Sequence, residues 1–284
     1  MRDSQLIDPQ DLSNRLTDAN LCIIDCRFDL ADPTAGHKDY LDAHIAGAVF
    51  ADLNDDLAAQ PTPVSGRHPL PDIDAIAATF GRLGVDRKTR VVVYDAGGGA
   101  IAARTWWLLR WLGHKKVMLL NGGYAQWKLL QLPLAAGEVA VEPKVFEPCA
   151  QDERVITTAE LSSSLEDIAA MNLLDARDRA RFSGENEPID PVAGHVPGAR
   201  NFPFSESLNA DGTWKSSAQL QRLWKRHLGD DTSVAWAAMC GSGVTACHLA
   251  ISGMQAGYCE PRIYVGSWSE WIRNPVRPVA TGEG

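Results

Sequence analysis

The sequence lacks any surplus of basic charge. Across its 284 residues, 27 Lys+Arg stand against 36 Asp+Glu, a formal charge of −9. An acidic chain without a long basic run argues against nucleic acid and anionic membrane surfaces as partners. It also lacks long apolar runs: no stretch approaches the roughly 18 to 20 residues that a spanning helix needs. Behind Met1-Arg2-Asp3-Ser4-Gln5 there is no apolar signal segment, so the expected location is cytoplasmic. Cysteine is scarce and scattered, with six residues at 22, 26, 149, 240, 247 and 259 and no CxxC pair. That spacing supports neither a zinc site nor a disulfide framework. Most of the thiols are expected to be small buried hydrophobes. With 45% hydrophobic and 22% charged residues, the chain is not of a disordered composition.

What is present is a sequence written twice. Ile24-Asp25-Cys26-Arg27 and His44-Ile45-Ala46-Gly47-Ala48 return as Leu174-Asp175-Ala176-Arg177 and His195-Val196-Pro197-Gly198-Ala199. Asp25 and Asp175 are 150 residues apart, His44 and His195 151. Two later landmarks, Val91–Asp95 against Ala235–Cys240 and Asn121–Trp127 against Val265–Trp271, follow in the same order. The reading is two homologous domains, residues 1–136 and 157–284, joined by a linker at 137–156 that contains Pro143 and Pro148 and shows no helical period. In each half, short apolar runs alternate with amphipathic segments. Strands are expected at Leu21–Asp25, Val91–Asp95, Val117–Leu120, Asn172–Asp175, Val234–Met239 and Arg262–Val265. Helices are expected at Ile73–Leu83, Ala100–Leu112, Ala218–Leu228 and Val244–Ala256. The fold class is α/β, each domain a mainly parallel sheet flanked by helices, with ligands beyond the carboxyl ends of the strands.

Features common to both halves serve the fold. Asp25/Asp175, Arg27/Arg177 and the HxxGA turns are of this kind, with His44 set apart as able to reach the other half's site. Features of one half alone are the candidates for chemistry. At the end of the middle strand the late half has Cys240-Gly241-Ser242-Gly243-Val244-Thr245-Ala246, where the early half has Asp95-Ala96-Gly97-Gly98-Gly99-Ala100. A cysteine followed by a glycine-rich turn and a helix start places inward N–H groups and the positive end of a helix around the sulfur, an environment that favours a thiolate. A cysteine-dependent phosphatase needs an arginine where this chain has Ala246. A mononucleotide loop needs a Lys-Ser/Thr pair that neither half contains.

These residues resemble the rhodanese superfamily, and within it the two-domain mercaptopyruvate-type sulfurtransferases. The likeness covers about residues 6 to 273. It implies tandem rhodanese-like domains, the first catalytically degenerate and the second carrying the nucleophile Cys240. It also implies a sulfur atom moved from 3-mercaptopyruvate, through a persulfide on Cys240, to thioredoxin, a small thiol or cyanide, with no cofactor and no metal. The N–H groups of Gly241, Gly243, Val244 and Thr245 would cradle the sulfur, and Arg181, ahead of Phe182, would bind the donor carboxylate. Members that prefer thiosulfate place basic residues directly after the cysteine, where this chain has Gly241 and Ser242. Mercaptopyruvate enzymes carry a second arginine in a Glu-Pro-rich loop, and Ile189 stands there instead. Arg67 and His68, reaching from the first domain, are the expected substitutes. A Ser–His–Asp relay would use Ser242 and His44, with Asp32 and Asp39 both near the place of the acid. Two alternatives stay open: a thiosulfate:cyanide sulfurtransferase, and a non-catalytic sulfur-carrier module.

Overall fold

The computed structural model describes residues 4–165 and 171–283. The chain divides into two units. The first contains the chain up to Ala59, Pro71–Gln151 and Leu208–Trp214; the second contains Gln60–Leu70, Asp152–Ser207 and the chain from Lys215 on.

In the first unit the strands are β1 (Leu6–Ile7), β2 (Leu21–Asp25), β3 (His44–Ile45), β4 (Ala48–Phe50), β5 (Arg90–Tyr94), β6 (Val117–Leu120) and β7 (Leu134–Ala135). Helices α1 (Pro9–Ser13), α2 (Ala35–Asp42), α3 (Ile73–Arg82), α4 (Ala102–Trp111) and α5 (Gly123–Leu129) connect them. Five strands form a parallel sheet in the order β1-β6-β5-β2-β4, and β3 pairs antiparallel with β7. The apolar runs Leu21–Asp25 and Val117–Leu120 are buried strands because covered parallel sheets bury both faces of each strand. Helix α3 starts where Asp72 accepts from the N–H groups of Asp74 and Ala75, satisfying two of its orphan donors. Helix α4 is buried on every side, with Trp106, Trp107 and Trp111 inside.

The second unit repeats the plan. Its elements are β8 (Val155–Ile156), α6 (Thr158–Ser163), β9 (Leu173–Asp175), α7 (Arg179–Ser183), β10 (Arg200–Asn201), α8 (Ser217–Leu228), β11 (Ala237–Met239), α9 (Thr245–Gln255), β12 (Arg262–Tyr264) and α10 (Ser267–Trp271). The sheet order β8-β12-β11-β9-β10 is that of the first sheet, strand for strand. Leu173, Met239, Tyr264, Trp268 and Trp271 anchor its core. Helix α8 opens on a reciprocal capping box between Ser216 and Gln219.

Two features differ from the expected division. The segment 137–151 is extended but lies along the first unit: Gly137 N–H donates to Leu41 O at 2.8 Å, Lys144 N–H to Gly81 O at 2.9 Å and Cys149 N–H to Leu112 O at 2.9 Å. Exposed backbone donors find partners in this way, so the segment is a strap and not a free tether. Residues 60–70 group with the second unit, not with the first half of the sequence to which they belong.

Candidate active site

Cys240 directly follows β11, the central strand of the second sheet, at its carboxyl end. The residue is 2% exposed, so its sulfur is screened from bulk water. Gly243 N–H donates to Cys240 Sγ at 3.1 Å. Gly243 has φ +77°, and a Cβ there would lie 2.3 Å from Val265 O; only glycine turns the chain this tightly toward the sulfur. Val244 caps α9, and Thr245 is its first residue. The base of the loop is fixed by the start of α10: Cys240 N–H donates to Ser267 Oγ at 3.0 Å, Trp268 N–H to Cys240 O at 3.0 Å and Ser269 N–H to Gly241 O at 2.8 Å. Ser267 pays for this with a left-handed φ of +52°. Cys247 packs beneath, its thiol donating to Gly243 O at 3.3 Å.

The imidazole next to Ser242 is that of His68, not His44. His68 Nδ1 and Ser242 Oγ lie 2.8 Å apart, and both residues are buried. The segment carrying His68 is held within the second unit. Arg67 N–H donates to Ser269 Oγ at 3.1 Å, Gly66 N–H to Glu270 Oε2 at 3.4 Å, and Arg273 Nε to Ser65 O at 3.0 Å. His44 belongs to the first unit, where its ring stacks on Tyr40 at 4.2 Å and its Nδ1 lies 2.7 Å from Tyr40 O. His195 has the same arrangement in the second unit, stacked on Phe182 at 3.8 Å with Nδ1 2.9 Å from Phe182 O. The two histidines are one structural device used twice. Asp32 and Asp39 are exposed residues of the first unit, and Asp32 accepts from Thr34.

The repeated Asp-Arg pairs are likewise structural. Arg27 Nη2 donates to Asp25 at 2.7 Å and to Ala43 O at 2.7 Å; Arg177 Nη2 donates to Asp175 at 2.6 Å and to Gly194 O at 2.8 Å. Each ties a strand end to the residue before its HxxGA histidine. Among the described residues, the pair of the second unit extends into a line of alternating charge. Glu187 accepts from Arg177 Nη1 at 3.4 Å and from Arg181 Nε at 2.9 Å; Asp190 accepts from Arg181 Nη2 at 3.0 Å and from Arg67 Nη1. Burial works against the charge on Glu187, but the hydrogen bonds from Arg181 and from the Asp190 and Ile189 N–H groups outweigh it and hold its carboxyl below the usual range. Burial, with Glu187 adding to it, pushes Asp190 up against the pull of Arg67 and Arg181. Burial also opposes the charge on Arg177, yet Asp175, Glu187 and Cys240 together raise it. The line ends beside the loop: a Cβ on Gly241 would lie 2.9 Å from Arg67 Nη2 and 3.4 Å from Arg181 Nη2. Asp190, Ser267, Ser269 and Glu270 escaped the sequence reading. Asp190 stands next to Ile189 in the Glu-Pro-rich loop, and Ser267, Ser269 and Glu270 lie within the repeat landmark Val265–Trp271, which marked them for the fold and not for the site.

The first unit has a carboxylate at the equivalent position. Tyr94 pairs with Asp25 as Met239 pairs with Asp175, so Asp95 stands where Cys240 does. Its Oδ1 accepts from Gly97 and Gly99 N–H at 3.0 Å each, and its Oδ2 from Ile101 at 2.8 Å and Ala102 at 3.1 Å. A fixed carboxylate fills the anion-binding loop from within.

Residues 8–130 and 157–274 each match the rhodanese-like domain family. A protein of Pseudomonas aeruginosa named "Probable 3-mercaptopyruvate sulfurtransferase" is 46% identical over 285 residues, covering 100% of both chains. The human 3-mercaptopyruvate sulfurtransferase is 36% identical over 253 residues, 87% of this chain and 84% of that one. Among solved structures, SseA from Escherichia coli, described as having the rhodanese fold of 3-mercaptopyruvate sulfotransferases, superposes with a TM-score of 0.79 at 30% identity, over 94% of this chain and 100% of that chain. Matched along both repeats, the chain belongs to the rhodanese family, as two rhodanese-like domains in tandem.

Proposed function

We propose that the protein is a sulfurtransferase that takes a sulfur atom from 3-mercaptopyruvate and passes it to a thiol or to cyanide. The observation that carries the reading is Cys240, set at the carboxyl end of the central strand with a glycine-loop N–H on its sulfur, between a Ser–His pair and two arginines. The thiolate of Cys240 attacks the sulfur of the donor, forming an S–S bond. The S–C bond breaks, and its electron pair leaves on carbon as the enolate of pyruvate. The donor's thiol proton passes by way of Ser242 and His68 to that carbon, giving pyruvate and a persulfide anion on Cys240. The Gly243 N–H faces the developing negative charge in a site screened from water. An acceptor thiolate or cyanide then attacks the outer sulfur, and Cys240 leaves as thiolate. A reduced dithiol protein such as thioredoxin and small thiols are the acceptor classes that this chemistry admits. Arg181 meets the donor carboxylate. The short, neutral Gly241-Ser242 step favours a donor whose charge lies away from the transferred sulfur, and so mercaptopyruvate over thiosulfate. Steady-state turnover with each donor tests this. Faster pyruvate release than sulfite release supports the reading, and the reverse order replaces it with a thiosulfate enzyme. The absence of catalytic release from either donor would leave a carrier.

A further inference from the structure

Two guanidinium groups, not one, border Gly241, and both are fastened to the same carboxylate. We propose that Asp190 is a positioning residue that yokes Arg67 and Arg181 into a single grip for the carboxylate of the sulfur donor. The proposal rests on the sulfurtransferase reading and deepens it.

Three observations point this way. First, Asp190 uses one oxygen for each arginine, Oδ1 for Arg67 Nη1 and Oδ2 for Arg181 Nη2, while Glu187 holds Arg181 by Nε. Each guanidinium has five N–H donors in a rigid plane, so fixing one edge aims the other. Arg67 Nη2 lies on the Gly241 side, and Arg67 Nε is buried with no hydrogen-bond partner among the described residues. Second, exposure is graded across the cluster. The side chains of Asp190 and Glu187 are 3% exposed, those of Arg181 and Arg67 13% and 23%. The acids lie behind and the cations in front, so a ligand approaching the cluster meets positive charge. Third, the backbone opposite the arginines is bare. Gly241 leaves the space that a Cβ would take 2.9 Å from Arg67 Nη2. A planar carboxylate on a short spacer from the reacting sulfur suits two in-plane donors better than a tetrahedral sulfonate bonded directly to that sulfur.

The segment 60–70 thereby supplies the second cation that Ile189 does not. Arg67 is fixed for the task at both ends, its backbone N–H on Ser269 and its guanidinium on Asp190. An Asp190 side chain acting instead as a stand-in for the substrate, occupying the arginines until displaced, would predict the opposite effect of its removal.

The test uses the full chain with two donors, 3-mercaptopyruvate and mercaptoacetone, which keeps the thiol and ketone but has no carboxylate. Asp190→Asn retains the shape and turns an N–H donor toward one arginine. It and Arg67→Ala are each expected to raise KM for mercaptopyruvate about tenfold or more with kcat little changed. With mercaptoacetone each variant should lose turnover by a clearly smaller factor than with mercaptopyruvate. The double variant should be no worse than the worse single, since the two groups act as a unit. Asp190→Asn lowering KM for mercaptopyruvate, equal losses with both donors, or additive losses in the double variant would each overturn the yoke. A wild-type protein unable to turn over mercaptopyruvate would instead sink the underlying donor assignment.

Discussion

At the scale of single residues, the account separates thiols and histidines by environment. Burial pushes the Cys22 thiol up to about 12 and the Cys26 thiol well above its ordinary range, against the lowering hydrogen bond from Thr105. Alkylation of the native protein at mildly alkaline pH, read by peptide mapping, should therefore spare both. His68→Gln and Ser242→Ala should slow the loading of sulfur from mercaptopyruvate by about a hundredfold. Cyanide should still discharge a preloaded persulfide at the normal rate in both variants, because that step moves no proton. Stopped-flow measurement of the two half-reactions checks this, and equal slowing of both would contradict the role. The sequence singled out Cys240, Ser242 and Arg181 because they occur in one repeat only. It also offered His44 as the partner of Ser242, but His44 has the same aromatic stack and the same carbonyl contact as its repeat partner His195, and the imidazole beside Ser242 is that of His68. A residue present in both halves, only one of which has the cysteine, answers to the fold. His68 was expected as a stand-in for the missing arginine and not as the partner of Ser242: its segment joins the second unit through contacts to Ser269 and Glu270, which periodicity does not encode.

At the scale of elements, the strand–loop–helix turn after the central strand is used twice, around a sulfur in one unit and a carboxyl group in the other. In the second unit the turn needs Gly243 in the left-handed region against Val265 O. Gly243→Ala should cost about 2 kcal/mol of stability or more and should displace the N–H from the sulfur. Thermal unfolding and the rate of persulfide formation should fall together. In the first unit Asp95 accepts four backbone N–H groups of the equivalent turn. Asp95→Ala strands two buried and two half-buried donors and should destabilise by about 2 kcal/mol or more. Folded Asp95→Ala protein should keep normal sulfur transfer, since the carboxylate serves architecture. The principal strands and helices were readable because long apolar or amphipathic runs carry their own period. Strands β1, β3, β7, β8 and β10 are two residues long. Nothing that short shows a period, and only pairing to a neighbouring strand defines it.

At the scale of the whole molecule, the duplication is preserved in strand order while the residue after the central strand differs, Asp95 in one unit and Cys240 in the other. The domain plan was visible in the repeated landmarks, but the affiliation of 60–70 and 208–214 was not, because sequence order says nothing about which contacts a connecting loop will make. Stability should carry the mark of the buried histidines. Burial, with Arg200 and Arg226 nearby, pushes His227 down to about 4 from its ordinary 6.5. Burial also lowers His114 and His195. A histidine whose folded-state value is depressed contributes full stability above its unfolded value. As pH falls below 6.5 the unfolded chain takes up a proton that the folded chain refuses, so stability is lost down to about 4. The thermal midpoint should drop across that window, and His227→Gln should flatten part of the drop. The central claim is that one sulfur atom resides transiently on Cys240. Incubation of the intact protein with 3-mercaptopyruvate and no acceptor, followed by mass spectrometry and peptide mapping, tests it most directly. The account predicts one added sulfur per chain, located on Cys240, one pyruvate released with it, and neither in Cys240→Ser. Sulfur found on another cysteine, or pyruvate still released by Cys240→Ser, would contradict it.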